Sequence, residues 1–342
     1  MILKPSSSVT LGNLRYDSHA IALEVCLGLL PRGGSADVRV PASTRFEAAP
    51  GDDAQIDVDG GEGFQRVLTG KVREVVRTPV ATLARLYDAG GLLGEFRPAT
   101  TYENQSAADI VRQLASEIAV SVGRIDVDLA LPAYVAHPRR TAAEHIADLC
   151  RFGGALARVT GEGEIEVIKR PAGPPERALR YGREFTEYHA LRSSGPNASR
   201  FAMGFGPSGS SSAPDALLQT KGALPASARP GGNGVLREPT SMLRTAGAAD
   251  HASKALQEAA AAKTARLEAR CFLLPQIRPG QVVEVQSLPD GLSGGPWLIT
   301  RVTHRLAPAR GGETTLEAES ADTQSLLGQL VGAALAAVGG LL

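Results

Sequence analysis

Two stretches near opposite ends of the chain spell the same strand–turn–strand unit. The first runs Pro50-Gly51-Asp52, then Gln55-Ile56-Asp57-Val58, then Val67-Leu68-Thr69-Gly70-Lys71-Val72. The second runs Pro279-Gly280-Gln281, then Val282-Val283-Glu284-Val285, then Trp297-Leu298-Ile299-Thr300-Arg301-Val302. Val72 follows Pro50 by 22 residues, and Val302 follows Pro279 by 23. In both, a Pro-Gly turn starts an alternating strand, a Gly-containing turn reverses it, and a second strand returns. A chain with two copies of one small barrel can place both on a ring, and three such chains then present six similar surfaces. Two unrelated hairpins would share this pattern, so coincidence stands as the alternative.

The 342 residues suffice for two or three domains. Lys+Arg and Asp+Glu both number 36, so the formal net charge is zero. A chain gripping nucleic acid through its phosphates needs a basic excess, and none exists. Aromatics make up only 4%, so the core must be built from Ala, Val, Leu and Ile. Cys26, Cys150 and Cys271 are widely spaced and form neither a disulfide framework nor a CxxC metal pair. A reducing place of synthesis follows as the default.

Short alternating strands are expected at 19–28, 36–48, 54–59, 64–77, 80–88 and 92–97. The period then changes. Ser106-Ala107-Ala108-Asp109 and Thr141-Ala142-Ala143-Glu144 read as capping boxes before helical apolar stripes, and Gly153-Gly154 closes the second. Arg124–Val127 reads as a strand, and Ala155–Val159 with Glu164–Ile168 as a hairpin. Strands resume at 178–192 and 199–205. A Gly/Ser/Pro/Ala-rich stretch at 206–234 reads as a mobile loop. An Ala-rich helix over 248–267 leads into a strand at Leu267–Leu273, with the last strands at 297–306 and 313–319. From Leu326 to Leu342 no residue is charged, about long enough for a thin membrane span. Gln329 interrupts this run, and Gly328-x-x-x-Gly332 suits close helix contact. A helical tail packed on sister subunits or a partner is expected, with a span as the alternative.

The fold class is therefore α+β and mainly β. Two related small β-barrel domains carry an inserted α/β domain and a helical C-terminal tail. The expected division is 1–103 for the first barrel and 104–170 for the insertion. The second barrel takes 171–205 with 265–322, the loop and Ala-rich helix 206–264, and the apolar tail 323–342.

These residues resemble a family. Asn104 through Leu114 is similar to the first helix of the phage late control protein D group. Thr141–Gly154 followed by Gly161-Glu162-Gly163-Glu164-Ile165 is similar to its second helix and hairpin. Arg278-Pro279-Gly280, Ile299-Thr300-Arg301-Val302-Thr303-His304 and Gly312-Glu313-Thr314-Thr315-Leu316 resemble its last barrel. That group comprises central hub proteins of contractile phage tails, tailocins and injection systems, similar to the N-terminal part of type VI secretion spike proteins. The resemblance implies a homotrimeric, pseudo-sixfold ring between a hexameric tail tube protein and a trimeric spike protein. It implies a baseplate wedge or LysM-like hub-associated protein as a further partner, and assembly in the bacterial cytoplasm into a virion tail or injection particle. The spike is expected to be another polypeptide. Ring or tube contacts are expected at Gly51, Asp52, Gly70, Gly280, Gln281 and Thr300. Spike or trimer-axis contacts are expected at Leu326, Gly328, Gly332 and Leu335.

Enzyme readings find little support. The spacing Glu-x8-Asp-x5-Thr of one phage lysozyme type nearly occurs at Glu117 and Asp126, but Pro132 replaces the threonine. A glycosidase needs two carboxylates flanking one cleft. His19, His137, His145, His189, His251 and His304 show no zinc spacing. His145 is expected to be packed beside its helix stripe, and His304 to be a structural hydrogen-bonding residue. Ser208–Ser212 lacks a nucleophile elbow. Catalytic, metal and cofactor residues are therefore expected to be none. A hub-like peptidoglycan-degrading enzyme and a membrane-anchored adaptor are the alternatives to a mechanical hub.

Overall fold

The computed structural model describes residues 5–17, 22–171, 174–193, 198–204, 220–221, 234–288, 296–307 and 311–321. The expected tail contacts Leu326, Gly328, Gly332 and Leu335 lie outside them, as do His19, Ser208–Ser212 and most of 206–234.

Alternation of apolar and polar residues builds the first half. Its strands are β1 (Ser6–Leu11), β2 (Leu14–Arg15), β3 (Ala22–Gly28), β4 (Ser35–Pro41), β5 (Asp53–Asp59), β6 (Phe64–Arg77) and β7 (Ala81–Asp88). In β3, Leu23, Val25 and Leu27 are buried while the residues between them are half-buried, as a strand with one core face requires. The order is β3-β4-β7-β6-β5-β1, every pair antiparallel. Val9, Val25, Val38, Ile56, Leu68 and Leu86 fill the core.

Residues 92–97, expected as a strand, begin instead inside helix α1 (Ala89–Glu95). The cause is local. Asp88 is the N-cap, its carboxylate accepting the N–H of Gly91 at 2.9 Å and that of Gly34 at 2.8 Å, and a capping carboxylate outweighs a short apolar alternation. Asp88→Ala is expected to cost about 2–4 kcal/mol, because two backbone donors lose their acceptor in a buried setting. Asp88→Asn, which keeps one side-chain oxygen, should cost less, and urea unfolding of the three chains checks both.

The insertion follows as β8 (Thr100–Ser106), α2 (Ala107–Ser116), β9 (Val122–Ile125), β10 (Ala130–Ala136), α3 (Ala142–Phe152), β11 (Ala155–Val159) and β12 (Ile165–Lys169). Both helices start where the sequence placed their caps. Ser106 Oγ accepts the Asp109 N–H, and Thr141 and Glu144 form a reciprocal box. Gly153 caps α3, and Gly154 follows at φ +67°.

Next come β13 (Arg177–Arg180), β14 (Phe185–Arg192), β15 (Ala198–Gly204), β16 (Thr220–Lys221), β17 (Gly234–Thr240) and α4 (Ala246–Ala262). The last strands are β18 (Ala265–Phe272), β19 (Val282–Gln286), β20 (Pro296–Ala307) and β21 (Gly311–Ser320). The Ala-rich helix stops earlier than expected: Thr264 folds its hydroxyl onto the Ala261 carbonyl at 2.7 Å, and Ala265, Leu267, Ala269 and Cys271 then alternate into a core. β15 joins β16 and β17 in a separate sheet rather than the large one. Ala202, Leu243, Ala252 and Leu256 share the insertion's core with Ile110, Leu114, Ile146 and Leu149.

The second half repeats the strand order of the first. Its order is β14-β18-β21-β20-β19-β13, around Leu179, Phe185, Leu267, Val285, Ile299 and Leu316. One pair differs: β13 runs parallel to β19, whereas β1 runs antiparallel to β5. The halves are not separate sheets. β3 pairs with the C-terminal part of β20, and one 13-stranded sheet results.

Candidate functional site

The two Pro-Gly turns are built alike down to single hydrogen bonds. The Gly51 N–H donates to the Val72 carbonyl, and the Val72 N–H returns to the Asp52 carbonyl, both at 2.8 Å. The Gly280 N–H donates to the Ile299 carbonyl at 2.8 Å, and the Ile299 N–H to the Gln281 carbonyl at 2.9 Å. Asp52 accepts the Ala49 N–H at 2.9 Å, three residues back, and Gln281 accepts the Arg278 N–H at 2.9 Å with the same step. Gly51 and Gly280 both sit at positive φ, +99° and +86°, where a Cβ is strained. One residue past the shared bond, each strand bulges: the ladder skips Arg73 in β6 and Thr300 in β20. Val72 therefore corresponds to Ile299, not Val302. Sequence spacing misaligned the copies by three residues, because the intervening loops differ in length.

The surroundings of the two turns differ. Gly51 is exposed, with open space around a Cβ position. Gly280 is buried, with Ile168 and Arg158 of the β11–β12 hairpin 3.1–3.2 Å from that position. Arg158 donates to the Pro279 carbonyl at 3.2 Å and pairs with Glu166 at 3.0 Å. The same hairpin's turn rests on the first half, where a Cβ on Gly161 would lie 2.3 Å from the Arg66 carbonyl oxygen. Arg278 bridges the junction, donating to the carbonyls of Arg66 and Val67. Burial, and then the charge of Arg158, lower the pKa of this guanidinium from its ordinary value. The insertion thus locks the second turn to the first half.

Of the six expected contact residues, Gly51 presents a free tip. Asp52 and Gln281 spend their side chains closing their own turns. Gly70 is a close-approach glycine between β5 and β7, its Cβ position 2.0 Å from the Tyr87 carbonyl oxygen. Gly280 is covered within the chain. The Thr300 hydroxyl donates to the Glu317 carbonyl at 3.1 Å. The roles of Arg158 and Arg278 went unassigned in the sequence, although Arg278 stood beside the Pro-Gly signal.

A cleft of about 960 Å³ lies between α3, α4 and the strands β18, β20 and β21. Its charges are largely matched. Arg140 and Arg151 pair with Asp148, Arg170 with Glu319, and Arg301 with Glu317 at 3.2 Å. Glu117 and Asp126 do not line it. Glu117 is exposed and accepts the Tyr102 hydroxyl at 3.2 Å, and Asp126 pairs with Arg124 at 2.8 Å. His145 is buried between the Tyr134 hydroxyl at 2.7 Å and the His137 carbonyl at 3.1 Å. His304 is fully buried, with Nδ1 2.9 Å from the Thr314 hydroxyl. Among the described residues no cluster of three metal-ligating side chains occurs, and no helix is long and apolar enough to cross a membrane.

No family model and no curated protein matches this chain. Solved structures do. A 43 kDa tail protein of prophage MuSo2 from Shewanella oneidensis matches with a TM-score of 0.67 at 16% identity, over 93% of this chain and 98% of its own. A tail protein from Neisseria meningitidis MC58 matches with a TM-score of 0.71 at 15% identity, over 93% and 97%. An Escherichia coli component of the type VI secretion system, itself similar to bacteriophage T4 tail proteins, matches with a TM-score of 0.63 at 15% identity, over 91% and 76%. The chain shares the mainly β fold of phage tail proteins and of a type VI secretion component, as its sequence resemblance implied.

Proposed function

We propose that this chain is the structural hub of a contractile phage tail or tail-like injection machine. Three copies form a ring with pseudo-sixfold symmetry. One face meets the hexameric tail tube and the other the trimeric spike, so a threefold object seats on a sixfold one. The carrying observation is the internal duplication: six strands in the same order, the same Pro-Gly hydrogen bonds, and the same bulge one residue later. The exposed Gly51 turn is available for the tube or for a neighbouring copy. The tail 323–342 is assigned to the spike or the trimer axis, and a wedge or LysM-like protein to the periphery. The five-part division of the chain is proposed with this reading, with β15 moved from the second barrel to the segment that packs on the insertion. The work assigned to the hub is mechanical, and its working surfaces are interfaces rather than a catalytic pocket. Assembly in the bacterial cytoplasm and incorporation into the particle complete the proposal.

Light scattering of the purified full chain tests it. A mass of three times 35.6 kDa, with six-lobed class averages in negative stain, is the expected result. A monomer at every concentration up to that of the assembled particle overturns it.

A further inference from the structure

The seam joining the two halves has two unused counterparts. Inside the chain, β3 pairs antiparallel with β20 beyond its bulge: Glu24 faces Arg305, Cys26 faces Thr303 and Gly28 faces Arg301. Strand order makes β14 the counterpart of β3, and β6 the counterpart of β20. Among the described residues β14 pairs along its length only with β18, and β6 beyond Val72 pairs only with β7. Among the described residues, no strand pairs with Ala190–Arg192 of β14 or Glu74–Arg77 of β6 on the edge that the counterpart uses in the seam. Bare edges are templates for strand addition.

The register can be transferred residue by residue. The bulges equate Arg73 with Thr300, hence Glu74 with Arg301 and Val76 with Thr303. A conserved arrangement of charge, with signs exchanged, supports this: Glu74 pairs with Arg85 at 3.2 Å where Arg301 pairs with Glu317 at 3.2 Å. Across the other strands, Glu24 faces Asp37, which faces Arg85, while His189 faces Glu268, which faces Glu317. His189 therefore corresponds to Glu24, and Leu191 to Cys26. The in-chain contact of Cys26 with Thr303, sulfur to hydroxyl at 3.7 Å, becomes a contact of Leu191 with Val76. Both are large apolar side chains left in water, 58% and 39% exposed. The transfer used only backbone pairing, yet it places these two opposite each other.

We propose that β14 of one copy pairs antiparallel with the Glu74–Arg77 edge of β6 in a second copy of this chain, Leu191 opposite Val76. The contact is head-to-tail, so it repeats from copy to copy. Three such seams between chains alternate with three β3–β20 seams within them, and the ring closes. This inference rests on the ring reading and names its chain-to-chain junction.

Disulfide trapping in the purified full chain tests it. V76C with L191C, oxidised, is expected to give a covalent product that stops at three chains on a non-reducing gel. Neither single variant should cross-link, and the two single variants co-expressed should give covalent pairs. T303C, bonding Cys26 within one chain, is the positive control for the geometry. A second readout does not depend on oxidation. V76E or L191E alone should weaken assembly at least about tenfold by burying a charge at the seam, and V76E with L191K should restore it. Trimers by light scattering with no cross-link and no effect of V76E overturn the seam and leave the ring standing. Monomeric wild-type chain overturns the ring and the seam together. A covalent ladder past three chains supports the seam and overturns closure at three.

Discussion

Gly70→Ala is expected to be severely damaging, costing more than about 3 kcal/mol. Gly70 sits mid-strand in β6, opposite Ala54 of β5 on one side and Asp88 of β7 on the other. A Cβ there would lie 2.0 Å from the Tyr87 carbonyl oxygen, 2.7 Å from its carbon and 2.9 Å from the Asp88 Cα. All three are backbone atoms, so no rotamer change relieves the clash, and β6 and β7 must separate. Gly94→Ala is the matched control. Gly94 lies in α1 with nothing within 4 Å of its Cβ position, so alanine there should be neutral or stabilise by up to about 1 kcal/mol. Melting temperatures of the two variants check the contrast. Equal effects would show that crowding at Tyr87 does not govern the site.

Acidification below pH 6.5 should destabilise the folded chain through His304. The ring is fully buried, and burial, reinforced by the Arg278 charge, pushes its pKa down from 6.5 to about 3. The Thr314 hydroxyl accepts the Leu274 N–H at 2.9 Å, which leaves its proton free to donate to His304 Nδ1. The folded chain therefore holds the neutral ring. The sign follows from linkage. Below pH 6.5 the unfolded chain takes up a proton that the folded chain refuses, so stability is full above pH 6.5 and falls as pH drops toward about 3. The loss from this one group is about 2 kcal/mol at pH 5 and about 3 kcal/mol at pH 4. Asp88 acts in the opposite direction: burial raises its carboxyl to about 6, so the folded chain binds that proton more tightly and gains stability as pH falls from about 6 toward about 4. The wild-type curve mixes these two with the other shifted groups, His145 and the carboxylates of Glu24, Asp109, Glu144 and Glu238 among them. Subtracting the pH–stability curve of His304→Gln isolates the histidine, and a difference that stays flat between pH 6.5 and pH 4 would defeat the assignment.

Much of this fold could be read before any coordinates. The caps Ser106 and Thr141 carry a hydrogen-bond pattern in a few adjacent residues, so α2 and α3 began where expected. Alternation did the same for β3, β5 and β21. The errors fell where a local pattern competes with a distant partner. Residues 92–95 became part of a helix because Asp88 caps it and also holds Gly34, 54 positions away. The repeat was visible but misaligned, since loops between paired strands can change length while the hydrogen bonds stay.

Local chemistry, acting between neighbours in the chain, determined that there would be two Pro-Gly hairpin units, two capped helices between them, and a core of small aliphatic side chains. Only the tertiary structure decided that the Gly280 turn would be covered while the Gly51 turn stayed open. Only it joined β3 to β20. Strand pairing at such separations depends on which edges meet in space, and no residue's own preference encodes its partner's position.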